Sequence, residues 1–529
     1  MFRNISKKIS YLKNISKKTG EEKQKTQNKK TLKENIDLIK DIMGESPDIV
    51  FRHFQISEDE NLKACIVYID GLVNNMFIAQ SIMKPIIGLD KTIGDDIINF
   101  IDTKLSYVIK TKIANTIEDS ISEVLSGNTI LIINDNEKIL CMDTKGWEKR
   151  SISEPQTDTV VRGPREGFTE NIITNTSLIR RRIKTDSLRV EAMVIGTRTR
   201  TSIMIVYIED VVNKDVLKRV KSRLEKIETD AIFESSYIEQ YIEDAPFSPF
   251  STIAYTEKPD VVCANILEGR VAIVVDCTPI VITVPMLFVE GFQSSEDYYT
   301  RPIYASCLRF IRYIGYFLTV STPALFIALT SFHKELIPTK LLITITKASE
   351  NTPFPMFLEV IGMLFAFEII KEAGVRMPKP VGQSVSIVGA LIMGEAAVSA
   401  GIVGAPTVIA IAMTAVSGFL IPHKNESTFI LRWFLIITSS ILGLYGFAIG
   451  SLIIIVHLAT LTSFGVTFFS GFTNPSLQKD AIIRDPVWLF RKRPANIAVN
   501  DNIRQKTRKI AFRPFTDEDK NQEDQVNEL

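Results

Sequence analysis

The chain has 529 residues, with 62 Lys or Arg against 61 Asp or Glu, a balance that excludes the strongly basic make-up of a general nucleic-acid binder. Five cysteines (Cys65, Cys141, Cys263, Cys277, Cys307) form no CxxC pair and the four histidines are scattered. This argues for free thiols in a reducing compartment and against a disulfide scaffold or a metal site.

The first stretch, 1–35, is a basic tail. Its first thirty residues hold ten cations and two acids, and "NISKK" occurs twice. Such a composition predicts disorder; a second reading is a basic amphipathic helix on an anionic membrane surface, with Phe2, Ile5, Ile9 and Leu12 at helical spacing. The tail lacks the continuous apolar run of a secretory signal.

Residues 36–150 and 151–300 form two related α/β subdomains. "IVYIDGLVN" at 66–74 returns as "IVYIEDVVN" at 205–213, and "LSGNTILIIND" at 125–135 returns as "LEGRVAIVVDC" at 267–277. Two fragments in the same order at nearly the same offset mark an internal duplication. Each copy opens on paired strand-like runs, "DIVFRHFQI" then "KACIVYID" and "SLRVEAMVIG" then "SIMIVYIED". Helices follow, the clearest at 214–228, where Val216, Leu217, Val220, Leu224 and Ile227 form one apolar stripe. Asp70 and Asp276 each end a strand, where an aspartate holds a ligand in some α/β folds and a turn or helix cap in others.

Between the copies lies "VRGPREGFTENIITNTSLIRRRIK", residues 161–184, with six cations and two carboxylates. Thr169 is expected to cap a helix starting at Glu170, whose last turn carries Arg180, Arg181, Arg182 and Lys184. Ile172, Thr176, Ile179 and Ile183 supply its buried face. Arg162, Arg165 and Glu166 precede the helix and need partners elsewhere. A phosphate site is disfavoured because the loop makes no cradle of backbone amides, and nucleic acid because no aromatic residues interleave the arginines. The segment is read as a joint, with these three residues at a subdomain or subunit interface.

No Gly-rich phosphate loop ending in Lys-Ser/Thr, no HExxH and no GxSxG occurs, so neither an enzyme nor a bound cofactor is expected.

Residues 301–472 are read as a helical membrane domain of about five or six spans, near 303–332, 354–372, 383–400, 404–422, 429–447 and 449–470. The second carries Glu359 and Glu368, which point to opposite sides of a helix, so at least one should face protein or water; an interfacial helix is the alternative. Tight turns are expected near Gly401 and at Gly446 to Gly450. Arg301, Arg309 and Arg312 before the first span, and Lys479, Arg484, Arg491, Lys492 and Arg493 after the last, place both ends in the cytoplasm. Lys334, Lys340 and Lys347, in the loop 333–353, break that charge rule. Residues 473–529 form a charged cytoplasmic tail.

"VRGPREGFTENIITNTSLIRRRIKTDSLRVE", "ILEGRVAIVVDCTP", "EGFQSSEDYYTRPIYASCLRFIRY", "PVGQSVSIVGALIMGEAAV" and "SFGV" together closely resemble the A subunit of the GerA-type spore germination receptors, from about residue 40 to 490. The resemblance implies the inner membrane of a bacterial endospore. It also implies a transporter-like B subunit that recognises nutrient, a lipoprotein C subunit, and A subunits that oligomerise into a nutrient-gated cation channel. One departure is Cys277, which replaces the glycine of an expected "VDGTP" turn, where a positive φ would disfavour cysteine.

Helix 383–400 is the expected pore lining. It puts Ser384, Val388, Leu391, Glu395 and Ser399 in one stripe, with Gly389, Ala396 and Ala400 as an adjacent small-residue strip. In a ring Glu395 would favour cations while Val388 and Leu391 form a constriction; the rival lining is helix 354–372, through Glu359 or Glu368. A non-conducting scaffold or a transporter are the alternative functions, the latter disfavoured because the duplication lies outside the spans.

Overall fold

The computed structural model describes residues 26–56, 62–87, 97–147, 155, 160–350, 352–376, 389, 392–421, 424–473, 480–494, 496–498, 500, 501, 503 and 504. In the first subdomain helix α1 (Leu32–Met43) leads into β1 (Ile49–Gln55) and β2 (Lys63–Ile69). Then come α2 (Ile97–Ser106), β3 (Thr111–Ala114), α3 (Ile117–Leu125), β4 (Thr129–Ile133) and β5 (Ile139–Met142). The strands form one antiparallel sheet in the order β1-β2-β4-β5-β3. Both faces are covered, because successive residues of β2 point to opposite sides. Cys65, Val67 and Ile69 pack with α1 and α3, while Ala64, Ile66 and Tyr68 pack with Ile98, Ile101 and Leu105 of α2.

The second subdomain repeats this plan. Helix α4 (Ile172–Arg182) precedes β6 (Leu188–Ile195), β7 (Thr201–Ile208), α5 (Lys214–Leu224) and α6 (Ser235–Ile242). After them come β8 (Ala254–Thr256), α7 (Pro259–Leu267), β9 (Val271–Val275) and β10 (Val281–Val284). Sheet order is β6-β7-β9-β10-β8, the order of the first sheet position for position. The stripe of α5 is core: Val216, Val220 and Leu224 are buried against Ile203, Ile205 and Tyr207, with Leu217 and Ile227 packed at the edge. Fully burying one such side chain stabilises by roughly 1.5–3 kcal/mol.

Equivalent turns in the two copies share their backbone. Gly127 and Gly269 take φ 86° and 94°, and Asp135 and Cys277 take φ 61° and 67°. The turn therefore keeps its left-handed residue with cysteine in place of glycine. Asp276 accepts from the Ile172 amide at 3.3 Å and Asp70 from the Gly71 amide at 3.0 Å, which are turn and cap roles.

The helical region starts with α8 (Pro302–Ile327), which continues as a π turn to Phe332. It is followed by α9 (Thr339–Glu350), α10 (Met356–Arg376), α11 (392–399), α12 (Ala405–Gly418) and α13 (Asn425–Thr460). Among the described residues two helices, Pro302–Phe332 and Asn425–Thr460, are long and apolar enough to cross a membrane, and Ala405–Gly418 is a shorter apolar helix. The turn expected at Gly446 to Gly450 lies instead at Gly443, whose φ of 61° and ψ of −136° only glycine adopts readily. There α13 folds into a hairpin with arms 425–442 and 444–460. Gly446 and Gly450 serve its packing: a Cβ on Gly446 would lie 2.0 Å from the Thr438 carbonyl oxygen, and one on Gly450 2.9 Å from Leu435.

Both open ends of this hairpin meet the second subdomain. Lys424 lies over the rings of Phe288 (4.8 Å) and Phe468 (5.5 Å), filling space that a Cβ on Gly291 would occupy. Past Thr460, Ser463 Oγ accepts from the Met286 amide (3.0 Å) and donates to the Thr252 carbonyl (2.7 Å). The opposite end of the bundle is where Gly443 meets Phe332 and His333. The chain at 480–504 also returns to this subdomain, where Ala481, Ile497 and Ala498 enter its core.

Candidate functional site

Three carboxylates of the helical region were the candidate polar groups, and they meet different fates. Glu359, one turn into α10, is 2% exposed. It accepts from the Gly404 amide (3.0 Å), Thr407 Oγ1 (3.0 Å) and Thr352 Oγ1 (2.7 Å). Gly404 is the N-cap of α12, so the carboxylate sits on the positive end of that helix and satisfies its first donors. Three hydrogen bonds offset the desolvation that burying the Glu359 carboxyl group costs. Glu368 pairs at 2.8 Å with Arg432 of α13, at side-chain exposures of 17% and 3%. Both acids thus face the interior of the chain's own helical region, where the sequence required it of only one.

Glu395 differs. It is exposed on α11, as are Ser399, Ala396 and Ala400. Gly394 of the same helix turns inward, since a Cβ on it would lie 3.0 Å from Val408; a Cβ on Gly389 would lie 3.6 Å from Ile370. Gly389 is therefore half-buried beside Ile370, unlike the exposed Ala396 and Ala400. Ser384, Val388 and Leu391 lie outside the described residues.

The joint includes residues beyond those expected. The helix after the Arg-rich turn begins at Ile172 and Asn171 caps it, accepting from the amides of Ile173 (2.9 Å) and Thr174 (3.1 Å). Thr169 does not cap the helix: its Oγ1 accepts from the Asn171 amide at 3.4 Å, before the helix starts, while its own amide donates to Asn175 Oδ1 at 2.7 Å. Ile172, Thr176, Ile179 and Ile183 are buried as expected. Glu166 binds Arg181 and, at 2.6 Å, Arg182. Burial opposes its ionisation, but the two guanidiniums outweigh that and hold the carboxyl below its usual range. Arg162 and Arg165 are exposed.

Arg180 makes a contact between the subdomains: its guanidinium grips Asp48 with two bonds, Nε to Oδ2 at 2.7 Å and Nη2 to Oδ1 at 3.0 Å. Arg189 adds a bond to the Met43 carbonyl (2.7 Å), and the Val190 amide donates to Ser46 Oγ (3.3 Å). A second network was also missed. Arg309, with no exposed surface, binds Asp297 (2.9 Å) and Asp480 (2.8 Å), and Arg312 binds Asp297 (2.8 Å), tying the head of α8 to the returning chain. The i, i+3 spacing of these arginines beside "SEDYY" was its one sequence signal.

Two duplicated α/β sheets precede a helical region in which, among the described residues, two helices are long and apolar enough to cross a membrane. Residues 37–496 match the family described as Bacillus/Clostridium GerA spore germination protein. The chain is 43% identical over 479 residues to spore germination protein KA of Bacillus subtilis (strain 168), covering 90% of this chain and 88% of that protein. To spore germination protein B1 of the same organism it is 38% identical over 483 residues, covering 90% and 99%. A crystal structure of the N-terminal domain of the A subunit of the Bacillus megaterium spore germinant receptor GerK3 matches at 36% identity and a TM-score of 0.40, covering 50% of this chain and 99% of that domain. The chain belongs to the GerA family and is an A subunit of a spore germination receptor.

Proposed function

We propose that this subunit assembles with copies of itself into a nutrient-gated cation channel in the inner membrane of the bacterial endospore, whose opening starts germination. Helix 383–400 lines the pore: Glu395 and Ser399 face it, Ser384 belongs to the same stripe, and Val388 and Leu391 form the constriction. The observation that carries this reading is the contrast among the carboxylates. Glu359 and Glu368 are bound within the protomer, whereas Glu395 is exposed on a helix of the bundle. An exposed carboxylate at membrane depth needs water or a second copy beside it, and a ring supplies both. A B subunit recognises the nutrient and a lipoprotein C subunit completes the receptor.

Both chain ends lie on the spore-core side, which agrees with the head of α8 and the end of α13 meeting the same α/β subdomain, through Arg309 to Asp297 and Ser463 to Met286. Arg162, Arg165 and Glu166 remain candidates for a contact between subunits, since the first two are exposed. A non-conducting scaffold is the second reading, favoured by the interior position of Glu359 and Glu368. Cation flux into liposomes holding the purified subunit separates the two: a channel variant with an opened constriction leaks, and a scaffold does not.

A further inference from the structure

Phe247 is 100% exposed, more than any other large apolar side chain among the described residues. It sits at the tip of a turn closed by the Ser248 amide donating to the Ala245 carbonyl at 2.9 Å, with Pro246 before it. Such tips ordinarily carry Gly, Asn or Asp, so a phenylalanine here needs a reason. The turn is fixed to the end of α13: Ser248 Oγ lies 2.9 Å from His457 Nε2, Thr462 Oγ1 donates to Asp244 Oδ2 at 3.2 Å, and Phe250, 1% exposed, packs beside the His457 ring.

That attachment sets its height. His457 lies fourteen residues beyond Gly443, the far tip of the hairpin, or roughly 21 Å at 1.5 Å per residue. The hydrocarbon layer is about 30 Å thick, so His457 is still within it or at its edge. The neighbouring strip of the same arm, Ile449, Leu452, Ile453 and Val456, is 52–60% exposed, as a lipid-facing surface should be. We infer that the turn at Phe247 is a bilayer anchor, by which the second aqueous subdomain inserts one aromatic side chain at the boundary between headgroups and acyl chains. This matches the enrichment of aromatic residues at that depth and holds the subdomain against the membrane beside the α13 hairpin, whether or not the chain conducts.

The test is a nitroxide label on Phe247→Cys in the full chain, in lipid nanodiscs, with the two exposed cysteines removed as Cys277→Gly and Cys307→Ala. Labels at Ile449→Cys and at the exposed Lys218→Cys calibrate lipid and water. The ratio of oxygen to nickel-chelate accessibility at 247 should exceed that at 218 several-fold and approach that at 449. A ratio equal to that at 218 overturns the anchor. A label shielded from both relaxers overturns it too, since another protein chain then covers the turn. If the Ile449 label itself reads as water-exposed, the membrane placement of α13 fails, and the anchor with it.

Discussion

Arg180 and Asp48, 132 positions apart, form a two-bond ion pair between the α/β subdomains at side-chain exposures of 1% and 4%. Removing one partner of such a pair strands a buried charge and costs about 3–5 kcal/mol, whereas exposed pairs contribute about 0–1 kcal/mol. Arg180→Ala should therefore lower the melting temperature of the detergent-solubilised chain by far more than Arg165→Glu. Equal effects would mean that the Arg-rich turn itself, and not Arg180, joins the subdomains. Any loss of receptor assembly in Arg165→Glu at normal stability would assign that residue to a subunit contact.

The turn at Cys277 gives a stabilising substitution. A left-handed conformation costs a non-glycine residue about 1–2 kcal/mol, and Cys277 holds φ 67°. Cys277→Gly should raise the melting temperature, in part offset by the extra freedom glycine gains when unfolded. Asp135, its counterpart in the first copy at φ 61°, tolerates this conformation better, so Asp135→Gly should change stability less.

Glu239 of α6 supplies a pH dependence. Burial, opposed by a bond from Ser251 and reinforced by Glu243, Glu426 and Glu234, pushes its carboxyl up to about 7. The folded chain then keeps a proton that the unfolded chain loses near its ordinary carboxylate range, so stability is greatest below that range, falls as pH rises toward 7 and levels off above it. The chain should melt at a higher temperature at pH 5 than at pH 7.5, and Glu239→Gln should flatten that difference. An unchanged slope would assign the pH response to other groups.

Much of the architecture was readable because the duplication preserves strand residues, "IVYI" standing in the second strand of both sheets as β2 and β7. The stripe of α5 was readable for the same reason, a period matched to one buried face. Less readable were features set by distant chain. Nothing near Asp48 points to Arg180, and nothing in "FLEVIGMLF" shows that Glu359 binds the start of α12. Gly443, Gly446 and Gly450 look alike in sequence; which one turns and which two pack depends on the two arms meeting. The start of α4 at Ile172 has a local cause: Asn171 is a stronger cap than Thr169.

Glu359 tests the rival lining. Because its carboxylate holds the Gly404 amide, Thr407 and Thr352, Glu359→Ala should reduce the amount of folded protein recovered from membranes. Leaving those donors without an acceptor costs about 1–3 kcal/mol each. Ion selectivity in the protein that does fold should be unchanged; altered selectivity would return Glu359 to the pore.

The central claim is that helix 383–400 lines a cation pore, and flux through reconstituted liposomes reads it directly. Val388→Ala should open the constriction so that the subunit passes monovalent cations without nutrient, and adding Glu395→Gln to that variant should cut the cation flux while the protein still assembles. Liposomes in which both variants assemble and stay as tight to cations as the parent would contradict it.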